Sequence, residues 1–133
     1  MLIKLLLSLT VLALISIAAA CQQAQPVFAC RMDKLTKGQR NDLKTAIYAL
    51  IDSKPAAKEI SDGYELTFPS CDHYVDAATW IRYERLCCPF FHFSIELSQD
   101  NGPMTIRLTG PKGVKEFIAD DLPGLKALTS KER

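Results

Sequence analysis

The sequence predicts an α+β fold: a small antiparallel sheet with about three helices packed against one face. Three observations lead there. Apolar residues recur at helical spacing after Thr36, again between Ser70 and Cys88, and again from Val114. Between these stretches, 59–68 and 91–108 alternate apolar with polar residues, and each contains an Asp-Gly or Asn-Gly turn pair. The resulting order of helix, hairpin, helix, hairpin, helix buries every apolar face if the helices cover one side of one sheet.

The elements follow in order. Thr36-Lys37-Gly38-Gln39 fits a capping box, in which the hydroxyl and the amide satisfy free N–H groups at a helix start. Leu43, Ala46, Ile47, Leu50 and Ile51 then predict a helix over 37–52, ended before Pro55. Glu59 to Phe68 reads as strand with a hairpin at Asp62-Gly63, and Tyr64, Leu66 and Phe68 form its apolar face. Ser70 or Asp72 caps the next helix, which carries Tyr74, Ala77, Ala78, Ile81 and Cys88 along one side and Trp80 and Glu84 beside them. Pro89 ends that helix at Cys87 or Cys88.

Phe91, Phe93, Ile95 and Leu97 predict a half-buried strand, and Asn101-Gly102 turns it into a partner bearing Met104, Ile106 and Leu108. Gly110-Pro111 breaks the pattern. Val114, Phe117, Ile118 and Leu122 mark the last helix, stopped by Pro123-Gly124.

The first residues carry a different message. Residues 1–20 hold one charge, Lys4, then an apolar run from Leu5 to Ile17 and the small residues Ala18-Ala19-Ala20. This is the layout of a secretory signal, and its apolar run lies near the lower limit for a spanning helix. Three alanines before Cys21 resemble the lipobox of bacterial lipoproteins, where the cysteine is lipidated and becomes the first mature residue. The expected organisation is a signal peptide over 1–20, a lipid-anchored tether and Cys30 segment over 21–34, a single α+β domain over 35–126 and a frayed tail over 127–133. The expected location is the periplasmic side of a membrane in the cell envelope, with a soluble periplasmic protein as the alternative.

Removing Lys4 from the 16 basic residues leaves them equal to the 15 acidic ones, so the mature chain has no net charge. No basic stripe appears, which argues against a nucleic-acid partner. The membrane, through the anchor, and an envelope protein remain as expected partners. No Ser-His-Asp set, phosphate loop or dinucleotide fingerprint is present, so no enzyme class is assigned.

The chemistry-bearing stretch is Glu84-Arg85-Leu86-Cys87-Cys88-Pro89-Phe90-Phe91-His92-Phe93. Thiolates are soft ligands suited to Cu(I), Zn(II) or Hg(II). Adjacent cysteines on a helix diverge by about 100°, so both reach one ion only where the helix frays, as it does before Pro89. The expected metal ligands are Cys87 and Cys88 with Cys30 third, then His92, with Glu84 as auxiliary. Two other readings use the same atoms. One of the paired cysteines joins Cys30 in a disulfide that staples a non-catalytic interaction module, or the thiols perform redox exchange. Four cysteines besides Cys21 allow three full pairings, and sequence does not choose among them. Cys71 reads as incidental or as a disulfide partner, His73 as a solvated histidine of the first helical turn, and Glu84 by default as an intrahelical or surface carboxylate.

Glu84-Arg85-x-Cys87-Cys88-Pro89-Phe90, followed by Phe93-x-Ile95-Glu96-Leu97 and Leu108-Thr109-Gly110-Pro111-x-Gly113-x-Lys115-x-Phe117, resembles a family of small uncharacterised bacterial proteins. These share an E-R-x-C-C-P-F core and a T-G-P-x-G segment. Asp62-Gly63-Tyr64 and the early Cys30 extend the resemblance over most of 28–120. It implies a loose association with heavy-metal handling, carried onto Cys30, Cys87 and Cys88. Cys71 and the export signal depart from the pattern. Together these readings predict a membrane-tethered envelope protein that binds a thiophilic metal ion through a cysteine cluster.

Overall fold

A computed structural model of the chain describes residues 27–122. The signal segment, Cys21, the tether up to Pro26 and the tail lie outside the described residues.

Helix α1 spans Lys37–Asp52, the range its apolar periodicity predicts. The capping box closes as expected: the Gln39 N–H donates to the Thr36 hydroxyl at 3.2 Å, and the Thr36 N–H donates to the Gln39 side chain at 2.9 Å. Leu43, Ala46 and Leu50 form its buried stripe. A short 3-10 turn, Met32–Lys34, precedes it.

Strands β1, Ala56–Ile60, and β2, Gly63–Phe68, form the first hairpin. Its strand begins three residues earlier than alternation alone indicated, and the connecting residues are Ser61 and Asp62, since Ile60 already pairs with Gly63. Gly63 therefore sits inside β2 and not in the turn. It is needed for space: a Cβ there would overlap the Leu108 carbonyl of the neighbouring strand.

Helix α2, Tyr74–Cys87, leads to β3, His92–Leu97, and β4, Met104–Thr109. The tip of this second hairpin is also shifted by one residue. Asp100 and Asn101 both have φ 54°, and the Gly102 N–H donates to the Gln99 carbonyl at 2.9 Å. Asp and Asn tolerate the left-handed region, so the turn centres on them and not on Asn101-Gly102. Helix α3, Val114–Asp121, closes the described chain.

The sheet order is β1-β2-β4-β3, antiparallel throughout. Because β4 pairs antiparallel with both β2 and β3, those two strands run parallel and α2 is the crossover between them: a split β-α-β unit. Tyr64, Leu66 and Phe68 of β2 and Met104, Ile106 and Leu108 of β4 are buried on one face, in one core with the stripes of α1 and α2. The other face is polar, with Arg107 donating to Glu65 across the central pair at 2.6 Å.

Two expectations are corrected here. The side of α2 that faces the core runs through Ala77, Trp80, Tyr83, Glu84 and Cys87, while Tyr74 and Ala78 are exposed. In β3 the burial fades along the strand: Phe91 just before it is buried, but Ile95 and Leu97 are 44% and 51% exposed. β3 is an edge strand, with a neighbour on one side only.

The tight seam between β2 and β4 generates a prediction. Gly63→Ala should destabilise the fold by about 2–4 kcal/mol, because main chain and not a flexible side chain must move to admit the methyl group. Urea unfolding would measure it, and an unchanged midpoint would contradict the close approach.

Candidate functional site

The split β-α-β arrangement sends α2 back across the sheet, so its last turn ends beside the start of β3. There the helix meets Pro89. Cys88 leaves the helical region, with φ −122° and ψ 69°, as the clash with the following proline ring disfavours helix there. The Phe91 N–H then donates to the Cys88 carbonyl at 3.1 Å, turning the chain into β3.

That turn lets the adjacent cysteines converge. Cys87 Sγ and Cys88 Sγ lie 3.6 Å apart, and both residues are fully buried. The segment before α1 brings in the third sulfur. Cys30 is disulfide-bonded to Cys88 across 58 residues, with Cα atoms 4.7 Å apart. Next to it, the Arg31 N–H donates to the Cys87 carbonyl at 2.8 Å, so covalent and hydrogen bonds fasten the segment side by side. Phe28 and Phe90, each two residues from a bonded cysteine, meet with ring centroids 4.9 Å apart, and both contact Phe117 of α3.

Glu84 completes the group from one turn back on α2. It is only 6% exposed, so of the two default readings, intrahelical or surface carboxylate, burial rules out the second. The Cys87 thiol approaches Glu84 Oε2 at 3.7 Å. The buried Trp80 indole N–H has no acceptor in hydrogen-bonding geometry, yet it is near enough to Glu84 to hold the carboxyl's pKa down in part. Ligand atoms of Cys30, Glu84, Cys87 and Cys88 all lie within 4.8 Å of one another.

Electrostatics follow from burial. Loss of solvation, reinforced by the Asp121 charge, pushes Glu84 up to about 7. Burial first, and then the Glu84 charge, pushes Cys87 up to about 12, so Cys87 is a protonated thiol in the metal-free protein. Arg85 is exposed and is not among the causes of that shift.

The structure thus brings together four of the five residues expected at a metal site. His92 is exposed at the start of β3, where alternation turns it away from Phe91 and Phe93, and it does not join the group. Cys71 is a free, buried thiol at the opposite end of α2, pointing at the Gly102 carbonyl 3.2 Å away. His73 pairs with Asp76 at 2.9 Å within the first turn of α2. Sequence reasoning missed Asp121. Its Oδ2 lies 3.8 Å from Cys30 Sγ, and partial desolvation raises its pKa. Nothing in the sequence near Asp121 signals that the end of α3 returns to the cysteines.

No family model, curated protein or solved structure matches this chain.

Two predictions follow from the geometry. Glu84 has its folded-state pKa raised from 4.5 to about 7, so the stability it contributes is complete below pH 4.5 and is lost as pH rises through 7. The difference is roughly 3 kcal/mol. Urea unfolding at pH 4.5 and pH 8 should show a fall that Glu84→Gln largely removes; equal slopes in the two proteins would contradict a buried, protonated Glu84. Cys30→Ser should cost about 4 kcal/mol, the chain-entropy value for so long a loop. A melting temperature equal to wild type under oxidising conditions would show that the bond contributes nothing.

Proposed function

We propose that this chain is a thiophilic metal-binding protein of the bacterial envelope, tethered through Cys21, whose ligand set is Cys30, Cys87 and Cys88 with Glu84 alongside. One observation carries the reading: three sulfurs and a buried carboxylate from two separate segments have ligand atoms within 4.8 Å. Soft, low-coordinate ions such as Cu(I) or Hg(II), or tetrahedral Zn(II), suit that donor set. Glu84 is the natural fourth donor for Zn(II). For ions satisfied by sulfur alone, its protonated form keeps the buried negative charge down.

The Cys30–Cys88 bond defines when the site is available. Oxidised, it occupies two of the three sulfurs. Reduced, it releases them at the same place, because the Arg31–Cys87 hydrogen bond and the Phe28–Phe90–Phe117 contacts still hold the segment near α2. Binding must displace the Cys87 proton, so affinity should rise with pH. The Ala18-Ala19-Ala20-Cys21 sequence supports the tether.

A second reading has its own support. The disulfide by itself staples the segment before α1 to the end of α2, which fits a non-catalytic envelope interaction module.

Anaerobic titration of the reduced full-length chain with Cu(I), against a chromogenic competitor, separates the two. One ion per chain is expected. Cys87→Ser should weaken binding by roughly 100-fold or more, since outer-shell partners alone are worth about 10–100-fold. Cys71→Ser should leave binding unchanged. Equal affinity in wild type and Cys87→Ser would reject the metal site and favour the module.

A further inference from the structure

We propose that Cys87 is an internal nucleophile toward the Cys30–Cys88 disulfide, shifting the bond to Cys87–Cys88 and presenting Cys30 as the thiol through which this protein exchanges with small thiols and disulfides. The inference goes beyond metal binding and does not depend on it.

The positions of the three sulfurs carry it. Cys87 Sγ stands 3.6 Å from Cys88 Sγ, which is bonded to Cys30; all three sulfurs lie within 4.8 Å of one another and so bend at Cys88, and a side-chain rotation brings Cys87 into line with the bond before attack. Cys87 is the one thiol among the described residues that accompanies this bond; the other free thiol, Cys71, is held at the far end of α2 against the Gly102 carbonyl. Burial gives the exchange a direction. Cys87 and Cys88 are fully buried, whereas Cys30 is half-buried beside the exposed Arg31. The bond as it stands leaves the free thiol sealed inside, and the exchanged bond places it at the surface.

The step balances without an added oxidant or reductant. Cys87 first gives up its proton to solvent, and the thiolate then attacks Cys88 Sγ. The Cys87–Cys88 bond forms, the Cys30–Cys88 bond breaks, and its electron pair leaves on Cys30, which takes up a proton. The number of disulfides and thiols is unchanged. Asp121 Oδ2, 3.8 Å from Cys30 Sγ, lies where the released thiol can donate a hydrogen bond. The ring closed by neighbouring cysteines is small and strained, and strain makes a disulfide easier to reduce. The exchanged form is therefore the minor and more oxidising one, reached on the minutes-to-hours scale of uncatalysed rearrangement. A reagent that captures the Cys30 thiol draws the population across.

The test uses the oxidised full-length chain, folded, dilute, with chelator and without added thiol. Iodoacetamide is added, samples are quenched over hours, and tryptic peptides are mapped without reduction. Cys87 and Cys88 share peptide 86–107, while Cys30 lies with Cys21 in the peptide ending at Arg31, where fragmentation of the peptide tells the two cysteines apart. The expected result is an alkylated Cys30 together with peptide 86–107 lighter by two hydrogens, growing in step while the cross-linked pair of peptides declines. Cys71→Ser should behave the same way, and Cys87→Ser should keep the cross-link and leave Cys30 unlabelled.

Three results overturn the proposal: a cross-link that persists unchanged in folded wild type, an alkyl group on Cys87 with the cross-link intact, or Cys30 labelled as fast in Cys87→Ser as in wild type. If Cys87→Ser does not fold, the wild-type and Cys71→Ser maps decide. Metal affinity is read on the reduced chain and exchange on the oxidised one, so either idea fails without the other.

Discussion

The insertion of β4 between β2 and β3 is the constraint on which the rest of this structure depends. It makes the flanking strands parallel, and parallel strands need a long crossover, which α2 supplies. The crossover must deliver the chain from the end of β2 to the start of β3. The last turn of α2 therefore arrives at the edge of the sheet where Gly63, His92 and Thr109 lie in register. α3 begins at this end, just after β4, and the segment before α1 is bonded there too. Three parts of the chain distant in sequence meet at one junction, and that junction holds the sulfurs. Close approach of the two central strands at Gly63 keeps the frame tight.

At the junction, local chemistry takes over. A helix ended by proline opens at its last turn, and this opening turns two adjacent cysteines that a regular helix would separate into neighbours 3.6 Å apart. The same turn keeps Glu84 under the core side of α2. A carboxyl so placed resists ionisation, and its field in turn disfavours the Cys87 thiolate. Glu84 and Cys87 are therefore both protonated below pH 7, and Glu84 ionises as pH rises through that value.

Much of this was legible in the sequence, and the gaps have physical causes. The bounds of α1, its capping box, the α+β class and the order of elements all follow from short-range periodicity and turn chemistry. The hairpin tips were each displaced by a residue, because Asp and Asn compete with Gly for the left-handed positions and because Gly63 answers to the neighbouring strand. The face of α2 was misjudged because Trp80 and Glu84 were placed at its flank, whereas packing against α1 and the sheet centres the buried stripe on them. Cys30, Cys87 and Cys88 could be nominated as a group from their context. That Cys30 pairs with Cys88, and that Asp121 returns to meet them, are consequences of tertiary topology with no local trace.

The bond between Cys30 and Cys88 also determines how the domain carries mechanical force. A pull on the chain before Val27 reaches Cys30 and passes directly into Cys88 at the end of α2. The 57 residues between them, with α1, β1, β2 and α2, are shunted out of the line of tension. Force then runs from Cys88 toward β3, at the edge of the sheet. Once the bond is reduced, the same pull bears first on the Arg31–Cys87 hydrogen bond and the aromatic contacts of Phe28. A protein held at its N-terminal side is thus stiff when oxidised and extensible when reduced, with the length of chain it can release set by one pair of sulfurs.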